Sequence, residues 1–205
     1  MIVQIYGLTA PDDMRAIAGL HIDHVGVVLE EGHGTWDAVD DDTARAIVRE
    51  VPSATKVVAL SLHTEPEAIL ATAAVLAPAV VHLARAESID SAVLAELRRC
   101  LAPVELMTTV PVRDATAMAE ARRLAAVSDF LLLDTAHPAT GVVGATGHVH
   151  DWALSRSVVE AVDVPVVLAG GLGPENVREA IGTVRPWGVD SETRTSRDDD
   201  RRRKD

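Results

Sequence analysis

Eight short apolar runs recur along this chain, and seven of them are followed by a longer stretch of helical periodicity. That alternation constrains the fold more than any single motif. The runs fall at residues 2–6, 25–29, 57–62, 80–83, 104–109, 130–134, 166–169 and 187–190. Each is apolar on both faces, as a strand buried between a core and a layer of helices should be. Helical patterns cover 11–19, 41–50, 66–76, 89–101, 115–127 and 174–183, and another begins near Asp151. Thr9 is placed to cap the first of these, and Pro11 suits its first turn. Strands and helices alternating at this length imply a parallel sheet with right-handed crossovers. Eight repeats with no sign of two sheet halves predict an α/β fold, a closed (β/α)8 TIM barrel, rather than a doubly wound sheet.

The barrel is expected as a single domain over 1–191. A complete one would add a last helix to cover the first strand. Here that helix is short or missing, and residues 192–205, with Asp198-Asp199-Asp200 against Arg201-Arg202-Arg203-Lys204, read as a charged, solvated tail. A truncation, or a second subunit in a homodimer, would account for the gap.

Composition removes several function classes. A net charge of −12 opposes binding to a phosphate backbone, which needs a basic face, and aromatic residues at 2% leave no stacking surface for bases. No run approaches about 18 apolar residues, and the N-terminus lacks a basic region before an apolar one. A soluble, cytoplasmic protein is expected, with neither nucleic acid nor membrane as a partner. Cys100 stands alone, so no internal disulfide is possible. Its place at the end of a helical pattern suggests an inert, packed thiol.

In a barrel of this kind, chemistry sits at the C-terminal ends of the strands. Those ends carry Tyr6-Gly7, His63, Ala84-Arg85, Thr108-Thr109, Asp134, Gly170-Gly171 and Asp190-Ser191. Asp134 is the best catalytic candidate, because a carboxyl at the mouth of an apolar strand is partly desolvated and its pKa rises toward neutrality. A helix cap or an ion-pair partner is the plainer alternative. Gly170-Gly171, opening a Pro174-Glu175-Asn176 helix, offers bare N–H groups to an anion. Ser191, Thr193 and Arg194 could form the other half of that phosphate grip; a ligand-free turn is the alternative. His63, His82, His148 and His150 could converge on the mouth, but none shows a tight ligand spacing. Pocket or surface histidines are expected rather than a zinc site, and no cofactor is implied.

These motifs together resemble the phosphoribosylanthranilate isomerase family, nearly end to end. The turn Gly7-Leu8-Thr9-x-Pro11-Asp12-Asp13 is similar to that family's first strand-to-helix turn. Leu132-Leu133-Asp134-Thr135, then Gly144-Ala145-Thr146-Gly147 and Asp151-Trp152, resemble its sixth strand, glycine loop and helix. Leu168-Ala169-Gly170-Gly171-Leu172 with Pro174-Glu175-Asn176-Val177 resembles its phosphate motif, and Gly188-Val189-Asp190 its eighth strand. The resemblance implies an Amadori rearrangement of an aminoaldose phosphate to an aminoketose, a step of tryptophan biosynthesis. Asp134 falls on the family's general acid.

Other positions depart from the family. Its general base, a cysteine before the first-turn glycine, corresponds to Tyr6, a phenol whose ordinary pKa of about 10 makes it a poor base at pH 7. Its preceding lysine corresponds to Gln4. Its arginine after strand two, which grips the anthranilate carboxylate, is absent from Gly32-His33-Gly34-Thr35-Trp36. Its strand-four Gln-Leu-His-Gly reads His82-Leu83-Ala84-Arg85, which keeps His82 and Arg85 as candidate substrate contacts, and its Ser-Ser-Gly turn reads Ser191-Glu192-Thr193. Tyr6, His82 and Asp190 are the candidate substitute bases. Three readings follow: a related isomerase of a phosphoribosyl amine, a phosphoribosylanthranilate isomerase with an unusual base, and a barrel that binds a sugar phosphate without turnover.

Overall fold

The structure, a computed structural model, describes residues 1–29, 35–135 and 149–205. Strand β1 (Ile2–Ile5) leads to helix α1 (Pro11–Ile17), β2 (His24–Leu29), a two-residue strand β3 (Ala38–Val39) and α2 (Asp41–Glu50). The alternation continues through β4 (Lys56–Ser61), α3 (Pro66–Leu76), β5 (Val80–Leu83), α4 (Ser91–Leu101), β6 (Glu105–Val112) and α5 (Thr116–Ala125). It ends with β7 (Phe130–Thr135), α6 (Trp152–Ala161), β8 (Val166–Leu168), α7 (Val177–Val184) and β9 (Gly188–Ser191). All pairings are parallel, and β1 pairs with both β2 and β9, so the eight long strands close into a barrel. Strand β3 only extends the edge of β2.

Alternation along each strand sorts residues between two cores. Phe130 and Leu132 point inward with Val58, Val80, Met107, Val167 and Ala169, whereas Leu131 and Leu133 pack outward among the helices. Asp134 continues the inward parity of Phe130 and Leu132, which carries its carboxyl to the barrel mouth. The same count places Gln4 of β1, Tyr6 just after it, His82 of β5, Thr109 of β6 and Asp190 of β9 on the inner face. The barrel therefore has an apolar floor and a polar upper layer.

Local details differ from the sequence reading. Thr9 does not cap α1. The cap position is Ala10, and Asp13 accepts hydrogen bonds from the N–H groups of Thr9 and Ala10, both at 2.9 Å. Helix α7 begins at Val177, because residues 173–176 form a separate turn in which the Asn176 side chain accepts from the Gly173 N–H. Cys100 is exposed rather than packed, since Leu94, Leu97 and Leu101 take the buried stripe of α4. Residues 192–205 are not simply a solvated tail: after a 3₁₀ turn at Thr193–Thr195 the chain folds back, and Lys204 is 1% exposed. Among the described residues no helix is long and apolar enough to cross a membrane.

Candidate active site

One cavity opens at the C-terminal ends of β7, β8 and β9. Its lining includes Asp134, Gly170, Gly171, Asp190, Ser191, Thr193 and Arg194, all singled out by sequence, together with Glu192, which was not. The two aspartates flank the glycine turn, one strand to either side of β8. Burial pushes the Asp134 carboxyl up to about 7, against a smaller opposing effect from the Thr135 N–H that donates to Oδ1 at 2.7 Å. Burial and the Asp134 charge push Asp190 up to about 8, although Gln4 Nε2 donates to its Oδ1 at 3.1 Å. The Gln4 amide is fixed from its other end by His24 Nδ1, 3.1 Å from Oε1. Both carboxyls titrate near neutrality, and the charge of Asp134 is one cause of the rise at Asp190.

The glycine turn is built for close approach. Gly170 and Gly171 have φ of +85° and +61°. A Cβ on Gly170 would sit 2.3 Å from Thr135 Oγ1. Asn176 staples the turn by donating to the Gly171 carbonyl at 2.9 Å while receiving the Gly173 N–H. Among the described residues no carbonyl accepts from the N–H groups of Gly170, Gly171 or Leu172, so the turn presents a concave row of donors suited to an anion. Because α7 starts only at Val177, this backbone rather than the helix end supplies the donors. Arg194 stands beside it, ion-paired to Glu175. The Ser191 hydroxyl is committed to the Leu172 carbonyl at 2.7 Å and so holds the turn in place.

Three expected site residues lie apart from this cavity. Tyr6 is buried inside the barrel with its hydroxyl 2.7 Å from His82 Nδ1, and His82 Nε2 is 2.7 Å from Thr109 Oγ1. Burial, then Asp190, Glu192 and Asp37, push the phenol well above its ordinary value, and burial lowers His82 to about 3. Both side chains stay neutral and bond each other. Arg85 is exposed beyond β5. His150 bonds Thr135 Oγ1 at 2.9 Å and Ser155 Oγ at 2.7 Å. Among the described residues no three His, Cys, Asp or Glu side chains are arranged to hold a metal ion. His148, the loop 141–147 and Gly32-His33-Gly34 lie outside the described residues. Glu192 and Gln4 were missed as site residues because each gains its role only from partners distant in sequence.

Comparison with known proteins agrees with this geometry. Residues 3–193 match the family model for N-(5'phosphoribosyl)anthranilate isomerase. The chain is 39% identical over 197 residues to N-(5'-phosphoribosyl)anthranilate isomerase of Haloferax volcanii, covering 92% of this chain and 81% of that one. It is 33% identical over 191 residues to isomerase 2 of Methanosarcina mazei, covering 93% and 84%. The phosphoribosyl anthranilate isomerase of Thermotoga maritima superposes with a TM-score of 0.83 at 28% identity, over 100% of this chain and 93% of that one. A phosphoribosyl anthranilate isomerase crystallised with reduced 1-(o-carboxyphenylamino)-1-deoxyribulose 5-phosphate superposes with a TM-score of 0.81 at 26% identity, over 100% and 93%. The chain belongs to the N-(5'-phosphoribosyl)anthranilate isomerase family.

Proposed function

We propose that this chain isomerises N-(5'-phosphoribosyl)anthranilate to its aminoketose by an Amadori rearrangement, with Asp134 as general acid and Asp190 as general base. The observation that carries the assignment is the pair itself: two inward carboxyls, raised to about 7 and about 8, on either side of one glycine turn. The substrate phosphate sits on the N–H groups of Gly170, Gly171 and Leu172, with Arg194 adding charge. Asp134 gives its proton to the ribose ring oxygen as the C1–O bond breaks, leaving an iminium at C1. Asp190 then takes the C2 proton; the C–H electrons form the C1=C2 bond, and the iminium electrons return to nitrogen. Tautomerisation of this enolamine gives the ketose, with atoms and protons conserved. Asp190 at about 8 holds a proton more firmly than Asp134 at about 7, so the productive form, with the proton on Asp134 and the charge on Asp190, is the minor one-proton form, by about tenfold.

Tyr6 stands where the resemblance puts the base, but a buried neutral phenol hydrogen-bonded to His82 is a poor proton acceptor. Its part is to fill the barrel interior over Gly26. The same reading gives a cytoplasmic biosynthetic enzyme. A homodimer is its inferred assembly, since a relative from Thermotoga maritima is described as dimeric; light scattering tests this.

The test is loss of anthranilate fluorescence with substrate generated in situ. Wild type should turn over, and Asp134→Asn and Asp190→Asn should each lose about 10²-fold or more in kcat while remaining folded. Turnover by Asp190→Asn at the wild-type rate would remove it as the base. A folded wild type that binds the substrate analogue without turnover would make this a binding barrel.

A further inference from the structure

Strand register aligns three polar side chains in one row across the barrel wall. Gln4 of β1 pairs with His24 of β2 on one side and with Asp190 of β9 on the other. Neighbouring strands lie about 4.8 Å apart, so side chains in one row and on one face come within reach of each other. Here they touch: His24 Nδ1 lies 3.1 Å from Gln4 Oε1, and Gln4 Nε2 donates to Asp190 Oδ1 at 3.1 Å. All three residues are buried. One end of the row is anchored among aromatics, where the His24 ring centre lies 6.3 Å from that of Phe130 and 6.2 Å from that of Trp187. The other end, Asp190, lines the cavity.

Donor and acceptor chemistry fixes the direction of this row. An amide oxygen only accepts, so the hydrogen between His24 and Gln4 belongs to His24 Nδ1. Burial, then the charge of Lys56, lower the His24 pKa and keep its ring neutral. With its oxygen held by His24, the Gln4 amide turns its NH2 to Asp190. Oδ1 of Asp190 is thereby committed as an acceptor, whether the carboxyl is neutral or charged. Among the described residues no other hydrogen bond reaches that carboxyl. Its proton therefore sits on Oδ2 in the neutral form, and Oδ2 is the accepting oxygen in the charged form. The titratable groups acting on Asp190 are Asp134 from β7, Tyr6 after β1, and Glu192 and Lys204 beyond β9. Burial and the Asp134 charge raise the carboxyl, and the Gln4 donor, then Lys204, oppose the rise without cancelling it.

We propose that Gln4, oriented by His24, is a positioning residue for the isomerisation: it holds Asp190 by Oδ1 and reserves Oδ2 for the C2 proton of the substrate. The inference rests on the reading of Asp190 as the base. Neither Gln4 nor His24 lines the cavity, so their influence on the reaction passes through Asp190. Without this anchor the carboxyl loses both a fixed orientation and the one hydrogen bond that favours its charged form.

The test compares Gln4→Met, which keeps the length but removes donor and acceptor, with Gln4→Lys, which returns a donor to Oδ1, both in the full chain. Loss of the donor should raise the Asp190 midpoint by about one pH unit, read by carbon-13 NMR titration of its carboxyl and assigned with Asp190→Asn. The productive form, with the charge on Asp190, then becomes about tenfold rarer. For Gln4→Met, kcat should fall about tenfold or more between about pH 6 and pH 8, with KM changed less than about twofold. Gln4→Lys should recover most of that kcat. His24→Phe frees the amide from its other end; it should give the same pattern more weakly, and replaces Gln4→Met should that variant not fold. With Asp190→Asn inactive, a folded Gln4→Met protein with wild-type kcat and an unmoved Asp190 midpoint, even with a lowered Tm, would overturn the proposal alone and leave the row a structural brace. Wild-type turnover by Asp190→Asn would instead overturn the base reading, and the positioning role with it.

Discussion

The Tyr6 ring packs directly over Gly26. A Cβ on Gly26 would lie 2.0 Å from both Cδ1 and Cε1 of Tyr6. Gly26 sits on the inner face of β2, so the ring takes the volume that a side chain there would fill. Gly26→Ala should therefore destabilise the chain by about 1–3 kcal/mol through overpacking. Adding Tyr6→Ala should recover much of that loss, giving a non-additive double-mutant cycle. Urea unfolding at constant m-value reads both. Additive effects would show that the ring does not depend on the glycine.

The hydroxyl of the same ring supports a second prediction. The phenol is kept protonated and hydrogen-bonds His82 Nδ1, while His82 Nε2 hydrogen-bonds Thr109 Oγ1. Tyr6→Phe leaves a buried imidazole nitrogen unpaired, at a cost of about 1–3 kcal/mol. Its kcat should stay within about threefold of wild type, since on this reading the phenol moves no proton. A loss of about 10²-fold in kcat in a folded Tyr6→Phe variant would return the base to Tyr6.

The fold was legible because each of the eight barrel strands carries buried apolar residues, a pattern that a doubly covered sheet explains. Parity along residues 130–134 even gives the direction of Asp134. Long-range partners were not legible. Gln4 and Asp190 meet across 186 residues of sequence, and Tyr6 reaches His82 across 76. Nothing local to Tyr6 says that its hydroxyl turns into the barrel rather than toward the cavity. Lys204 sits in a charge run whose composition reads as solvent-facing. Its burial depends on acceptors at Glu192, Thr195 and Ser196, and on Asp13 at the other end of the chain. Strand β3 escaped notice because two residues carry no periodicity.

The raised carboxyls give stability a definite pH dependence. Unfolded, Asp134 and Asp190 titrate near an ordinary aspartate; folded, they bind protons up to about 7 and about 8. Between roughly pH 4 and pH 8 the native state holds more protons than the unfolded one, so these groups lower stability as pH rises. Their contribution is fully present below pH 4 and lost above pH 8. Asp190→Asn should flatten this slope, making the variant more stable than wild type at pH 8.5 by on the order of 2–4 kcal/mol. Denaturant midpoints from pH 5 to 9 check the sign. A wild type whose stability in this window does not fall relative to the variant would show that the carboxyls are not raised.

Asn176 separates binding from chemistry. Its amide ties the Gly173 N–H to the Gly171 carbonyl, both at 2.9 Å, and so fixes the turn that presents the anion-binding donors without itself lining the cavity. Phosphate contacts form equally in the substrate complex and the transition state, because the phosphate is remote from C1 and C2. Loosening the turn should therefore weaken uniform binding. Asn176→Ala is expected to raise KM about tenfold, with kcat changed less than about twofold. Inorganic phosphate should inhibit it correspondingly more weakly. Asp134→Asn makes the opposite pattern, a loss in kcat with KM little altered. A drop in kcat for Asn176→Ala at unchanged KM would mean that the turn positions the reacting carbons rather than the phosphate, and would move the anion site away from Gly170 and Gly171.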